Sequence, residues 1–591
     1  MSAGSFDHLK APRGLWLVVL CSGALTLGFG FIGLEQYGNG SLTSLYQAVQ
    51  MLILHTPHFE HGMNGWMHAG CWFGAITFFA TALGLFWKRI TREWRLVRLA
   101  WWWRRHYVVC GLGEMGMDLV RSLKSRHPAP RVVVIDPHPD ESFVKECEAL
   151  GVCVIEKDAR KPEALEQAKV SVAREVVVIT PDDETNVQIA VEVQRACAAK
   201  SSGMVECFVH LANINLRERL QTLAGNVRGK GVGCTLNFFD LFDNEARRVL
   251  TLLPLEGPGI SADDPRSVHV VILGFGRMGR SLAQRAAKMG HFANCKPLRI
   301  SVIDRDAKLQ RERFLFRYPA LEKNNTQGAA ICDLAFYEAE AESITARKQV
   351  ECWASEPDTL LHVFICVDEN TRAIELALRF QEALVRHPDC NLLVRIKAQS
   401  LMSRIFNLSP KGGPRIQAFG VVEGRCCEEA FRHEQNEAFA RAAHNDFVKK
   451  RGGDSNRTLE TDPALADWSQ LRDEFRESNR QQADHAPIKL RAIGCEMVEL
   501  SDPREAITQF KPREVEVLAE LEHTRWCAER WLDGWRYGPP FKKDQRISEN
   551  LCPWGDLDDS IKRYDREAVA NIPELLRLAN PPMKVVRKYS A

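Results

Sequence analysis

The chain has 591 residues, 26% of them charged, and the charges nearly cancel to a formal +2. That balance excludes the broadly basic character of a nucleic-acid binder, and the length exceeds a single domain of roughly 100–200 residues. The 18 cysteines contain no C-x-x-C pair, which argues against a zinc site or disulfide scaffold and for a reducing compartment.

Two apolar stretches come first, at 14–34 and 66–87. Each is long enough to cross a hydrocarbon layer of about 30 Å. Lys10 and Arg13 precede the first, and Lys88, Arg89, Arg92, Arg95, Arg98, Arg104 and Arg105 follow the second. Residues 35–65 hold neither Lys nor Arg. The positive-inside rule then predicts a cell (inner) membrane protein with both termini and all large domains in the cytoplasm. Between the spans, LTSLYQAVQMLIL (42–54) is apolar but too short to cross, and predicts a re-entrant helix. Backbone that stops at membrane depth needs protein or water around it, so a homo-oligomer in membrane lipid is expected. His55, His58 and His61 flank this segment. They read as solvated loop histidines, and no metal is expected.

From Tyr107 the pattern becomes that of a dinucleotide cradle. YVVCG runs into Gly111, Gly113 and Gly116, then a helix, and a second strand ends at Asp136. The glycines allow a tight turn and close approach to a pyrophosphate, and the acid stands where a ribose hydroxyl is bound. A third strand ends near Asp158, and a fourth closes on Asp182, Asp183, Thr185 and Asn186. The sequence then repeats itself. Gly274, Gly276 and Gly279 form a second turn, Asp304 ends the next strand, Asp333 stands in the place of Asp158, and Asp368, Asn370 and Thr371 match the polar end. Two doubly wound parallel α/β domains of Rossmann type are predicted, at 105–255 and 266–430. Acids at 136 and 304 favour a free 2′-hydroxyl over a 2′-phosphate. Arg277 and Arg280 offer the second turn positive charge where the first has Glu114.

Residues 431–464 are polar and mixed, and predict a linker. A mainly α-helical domain follows at 465–591. On its helix ending near Trp531, Val517, Leu521, Thr524, Ala528 and Trp531 form the expected core stripe. His523, Trp526 and Arg530, with Arg480 and Asn479, are ligand candidates, because an aromatic plane beside a guanidinium suits a base and a phosphate.

The order span, short helix, span over residues 1–100 resembles the pore module of two-span potassium channels. HTPHFEHG stands where that family has T-V-G-Y-G, so potassium selectivity is not implied. The duplicated unit resembles the regulator-of-potassium-conductance (TrkA N-terminal) domain. That resemblance implies NAD(H) or an adenine nucleotide (ATP or ADP) as a regulatory ligand at Gly111, Gly113, Gly116, Asp136 and Asp158, and at Gly274, Gly276, Gly279, Asp304 and Asp333. It also implies rings of paired domains that pull on pore helices, with a tetramer bringing eight domains together. The segments EHTRW, DGWRYGP, LCPWGD and DREAV resemble the ryanodine-receptor repeat domain.

The expected function is a ligand-gated, potassium-channel-like ion channel or transport subunit that is not an enzyme. A membrane-tethered nucleotide sensor without selective conduction is the alternative. An NAD-dependent oxidoreductase is a weaker one, since neither repeat is followed by an evident substrate domain.

Overall fold

The computed structural model describes residues 13–36, 38, 40–55, 62–102, 105–198, 204–213, 216–217, 219–220, 233–322, 331–396, 414–420, 434–451, 463–468, 471–542 and 545–588. Helices α1 (Arg13–Glu35) and α3 (Gly65–Trp102) each contain a stretch long and apolar enough to cross a membrane. Between them lies the short helix α2 (Ser41–Met51). Glycines bring the three together. A Cβ on Gly74 would stand 2.3 Å from the Met51 carbonyl oxygen, and one on Gly70 would stand 2.9 Å from the Gly30 nitrogen. Leu34, Ala48, Met51 and Met67 fill the resulting contact. Small residues at such positions let helices pack in lipid, where hydrophobicity gives no drive between them. Leu20, Trp72, Phe79 and Leu85 remain exposed, as a lipid-facing surface would. The sequence following HT at 55, including His58 and His61, lies outside the described residues up to Gly62.

The charged stretch after the second span is not a separate element. It continues α3 as one helix of 38 residues, about 57 Å at 1.5 Å per residue, against about 30 Å of hydrocarbon.

The first lobe comprises β1 (Tyr107–Cys110), α4 (Glu114–Lys124), β2 (Val132–Ile135), α5 (Glu141–Ala149), β3 (Cys153–Ile155), α6 (Pro162–Gln167), β4 (Glu175–Val178), α7 (Asp183–Ala198), β5 (Val205–His210) and β6 (Cys234–Phe239). Its strand order is β3-β2-β1-β4-β5-β6, and β1 pairs in parallel with both β2 and β4. Strands β1, β2 and β4 are buried along their whole length. Runs of Val and Ile without alternation are what a sheet covered on both faces requires.

Helix α8 (Leu241–Leu252) leads into the second lobe: β7 (Ser267–Leu273), α9 (Arg277–Met289), β8 (Leu298–Asp304), α10 (Ala307–Arg317), β9 (Cys332–Glu338), α11 (Ile344–Ala354), β10 (Thr359–Ile365), α12 (Asn370–Ala383), β11 (Asn391–Arg395) and β12 (Arg415–Phe419). The order β12-β11-β10-β7-β8-β9 is the first lobe's order read from the other edge. The two lobes thus share the doubly wound topology whose strand order reverses beside the first strand, where ligands bind.

The C-terminal region contains α13 (Glu434–Arg451), α14 (Asp473–Ala492), β13 (Cys495–Glu499), α15 (Pro512–Leu532), β14 (Arg536–Tyr537), β15 (Ile547–Ser548), α16 (Asp559–Ala570), α17 (Ile572–Leu578) and β16 (Met583–Arg587). Two sequence expectations are corrected here. Residues 434–451 of the expected linker form a helix, and Phe439, Ala440 and Ala443 on it share one core with Leu490, Leu518 and Leu575. On α15 the buried residues are Leu518, Ala519, Leu521, Glu522, His523, Arg525, Cys527, Ala528, Glu529 and Leu532, whereas Thr524 is exposed. Of the expected stripe, Leu521 and Ala528 are buried and Val517 and Trp531 half-buried; the buried surface extends further around the helix and carries charge.

Candidate functional site

The two glycine turns have the same construction. Gly111 takes a φ of +109° and Gly274 one of +89°, backbone that favours glycine. The Gly111 N–H donates to Ile135 O (2.9 Å) and the Gly274 N–H to Ile303 O (3.0 Å). A Cβ on Gly116 would lie 2.0 Å from Gly111 O, and one on Gly279 would lie 2.4 Å from Gly274 O. These glycines are required by the helix closing onto the turn. Gly113 and Gly276 differ: a Cβ on either would meet nothing within 4 Å. Protein packing does not require them, but close approach by a ligand would.

Asp136 follows β2 and Asp304 ends β8, each beside its turn. The Leu112 N–H donates to Asp136 Oδ2 (2.7 Å) and the His138 N–H to Oδ1 (2.9 Å). In the second lobe Phe275 N–H donates to Asp304 Oδ2 (2.7 Å) and Asp306 N–H to Oδ1 (2.9 Å). Each acid thus pins the middle of its turn, a role that sequence reasoning missed. A carboxylate oxygen accepts more than one hydrogen bond, so capacity for a ribose hydroxyl remains.

Asp158 and Asp333 do not form a matching pair. Asp158 is held by the Arg160 guanidinium (Nε–Oδ1 3.0 Å, Nη2–Oδ2 2.8 Å), which keeps its carboxyl below the usual range. Asp333 pairs in register with Arg299 near the start of β8, while Asp304 pairs with Glu338. Five residues of strand, about 17 Å, separate Asp333 from the turn end of β9. By register Ile135 faces Ile155 and Ile303 faces Tyr337, so the residue in the place of Asp158 is Glu340. It lies 3.6 Å from Arg372. The longer β9 displaced the sequence match.

The polar ends of the fourth strands are structural. Asp183 accepts from the Ala212 and Asn213 N–H groups (3.0 and 2.8 Å), and Asn186 donates to His210 O (3.0 Å). Asp368 pairs with Arg395 at 2.9 Å.

The two turns differ in charge. Glu114 stands in the first turn of α4. Arg277 and Arg280 stand at the start of α9. Burial lowers the pKa of Arg280, and the nearby Arg277 and Arg313 lower it further. Arg277 and Arg395 both lie over the Phe242 ring, at 5.9 and 5.3 Å. His210 is buried with both ring nitrogens lacking a partner among the described residues, and burial pushes its pKa down to about 4.

In the C-terminal region the candidates separate. Arg480 is engaged by Glu437 of α13 at 3.2 Å, and Asn479 donates to Phe475 O. His523 is buried, with Nε2 2.8 Å from Cys552 O and Nδ1 3.5 Å from Asp565. Burial would lower its pKa, but Asp565 and Cys527 outweigh that and raise it to about 10. Trp526 stacks on its ring at 5.9 Å. Arg530 lies over both Trp526 (5.7 Å) and Trp535 (5.2 Å). Trp535 was not among the expected residues; its place in the Gly-Trp-x-Tyr-Gly segment was the available signal.

Residues 107–205 match the TrkA-N domain, and residues 506–580 match the RyR domain. The chain carries both domains. No curated protein matches it. Among solved structures, the GsuK channel aligns over 71% of this chain and 99% of its own, at 14% identity and a TM-score of 0.38. The human SLO3 gating ring aligns over 56% and 83%, at 12% identity and a TM-score of 0.36. One component of the dipicolinate synthase of Bacillus halodurans aligns over 55% and 94%, at 10% identity and a TM-score of 0.19. The fold assignment rests on the strand order and register above rather than on these alignments.

Proposed function

We propose that the chain is an oligomeric membrane subunit of potassium-channel type whose ion movement is controlled by a nucleotide at the glycine turns. The observation that carries this reading is the contrast within each turn. Gly116 and Gly279 are fixed by backbone contact, while Gly113 and Gly276 face open space. Open space above the middle glycine, with a strand-end acid beside it and a helix starting after it, suits a pyrophosphate and its ribose. The TrkA-N match at 107–205 supports NAD(H) or an adenine nucleotide as the ligand class. In the first lobe Gly111, Gly113, Gly116 and Asp136 would hold it. In the second, Gly274, Gly276, Gly279 and Asp304 would do so, with Arg277 and Arg280 favouring added phosphate.

The link to the membrane is α3. It runs unbroken from the second apolar stretch to within five residues of β1. A ligand that prefers one arrangement of the lobes would bias that helix, and only through such differential affinity. A non-catalytic role is part of the proposal, as is a tetramer with its lobes in the cytoplasm.

The test is ion flux from liposomes containing the purified protein, with potassium, sodium and chloride in turn, with and without NAD or ATP. Nucleotide-dependent cation flux that disappears in the Gly113→Val, Gly276→Val double variant is expected. Nucleotide binding without any flux would favour the tethered sensor instead.

A further inference from the structure

We propose a second kind of ligand site, on the C-terminal domain, for a planar ring bearing anionic oxygens: a nucleoside monophosphate or a larger molecule containing one. It is built on Arg530, Trp526, Trp535 and Phe541, and it does not depend on the glycine-turn reading.

Most arginines of this domain meet an acid. Arg525 lies between Glu522 (2.9 Å) and Glu529 (2.5 Å), Arg566 meets Glu516 and Asp559, and Arg587 meets Glu514. Arg504 and Arg577 meet Asp502 and Glu574. Arg530 has no carboxylate within ion-pair distance among the described residues. The acid that follows it, Asp533, is bound by Lys288 at 3.2 Å. Two indoles hold the guanidinium instead, at 5.7 and 5.2 Å. Stacking uses the faces of a guanidinium and leaves its in-plane N–H donors available. Those donors match the oxygens of a phosphate and leave no acceptor to repel them.

The aromatic groups are fixed. Trp526 rests on the buried His523, and His523 is anchored to Cys552 O and faces Asp565. The Trp535 backbone N–H donates to Arg530 O (2.9 Å), and its ring stacks on Phe541 at 5.9 Å and 25°. Tyr537, in β14, and Phe541, between β14 and β15, are exposed, by 50% and 56%. A guanidinium that needed only packing would not require a further, exposed aromatic ring stacked on the indole that covers it. A ring stacked there with its phosphate on Arg530 gains aromatic contact and charge-assisted hydrogen bonds at once.

The test uses the full chain in detergent with both glycine turns blocked by Gly113→Val and Gly276→Val. Calorimetric titration with AMP, GMP, CMP and UMP is compared with adenosine alone and inorganic phosphate alone. At least one monophosphate should bind, with adenosine and phosphate each weaker by about tenfold or more. Arg530→Gln and Trp535→Ala should each weaken binding by a similar factor, roughly tenfold, with Arg530→Lys recovering only part. Phe541→Ala, at an exposed position, provides a variant whose folding is not in question, and it should weaken binding too. The proposal is overturned if none of the four monophosphates binds the blocked protein. It is also overturned if phosphate binds as well as the nucleotide, or if the Arg530 and Phe541 variants keep wild-type affinity.

Discussion

Glycines at identical spacing have opposite reasons to be there, and substitution separates them. A methyl on Gly116 would stand 2.0 Å from the Gly111 oxygen. No rotamer relieves that contact, so α4 must move off its turn. Gly116→Ala should cost about 3 kcal/mol or more of stability, as backbone clashes in buried turns do. Gly113 has no positive φ and nothing near its Cβ position. Gly113→Val should therefore leave thermal unfolding nearly unchanged while removing NAD or ATP binding at the first turn. Unfolding and ligand titration, run on both variants, check the pair. Loss of stability in Gly113→Val, or unaltered ligand affinity, would mean that the open space has no ligand. The G-x-G-x-x-G pattern was legible in the sequence, because a turn is a local object. The division of labour among its glycines was not, since the atoms they meet are set by the Ile179 and Cys366 segments closing over them.

At the level of elements, strands and turns were readable while strand ends and charged faces were not. Asp136 follows Gly116 by 20 residues and Asp304 follows Gly279 by 25, yet each stands one residue past the strand position paired with the end of β1 or β7. Asp333 was misplaced because β9 spans seven residues where β3 spans three. Charged faces fail for a different reason: their partners are distant in sequence. Asp243 of α8 binds Arg285 of α9 at 2.5 Å, and Arg285 binds Glu477 of α14 at 2.8 Å. Arg247 of α8 meets Glu477 and lies 2.7 Å from Asp484. Burial raises the pKa of Asp243, but Arg285 outweighs that and brings it down to about 2. A depressed carboxyl contributes stability above its unfolded value of 3.8 and loses it as pH falls through about 2. Asp243→Asn leaves a buried guanidinium short of one partner. It should destabilise the protein by about 3 kcal/mol, within the range for breaking a buried pair. Denaturant unfolding at pH 7 measures it. A change below about 0.5 kcal/mol would place the pair among those that contribute little.

For the part of the molecule from residue 208 onward, these ion pairs decide how the C-terminal domain is attached. Polar composition at 431–464 suggested a module on a tether. Instead α14 and α15 pack on α9 through Glu477–Arg285 and Asp533–Lys288, and Arg491 of α14 meets Glu256 at 2.5 Å. The His485 Nε2 also lies 3.2 Å from His291 O. Buried charges tolerate few alternative arrangements, so they select one docking geometry more than they add affinity. The helix they grip, α9, begins at the second glycine turn. Ending the chain at residue 433 would remove Glu477 and Asp484, taking both acids from Arg247 and leaving Arg285 with Asp243. A tethered domain could be cut away without effect on the second lobe. A clamped one could not: the 1–433 chain should unfold at a clearly lower temperature than the full chain, or aggregate. Replacing Arg247 by Met in the shortened chain should recover part of the loss, because both of its acids go with the removed domain, whereas Arg285 keeps Asp243. Equal unfolding temperatures for the second lobe in the long and short chains would show that the ion pairs do not hold it.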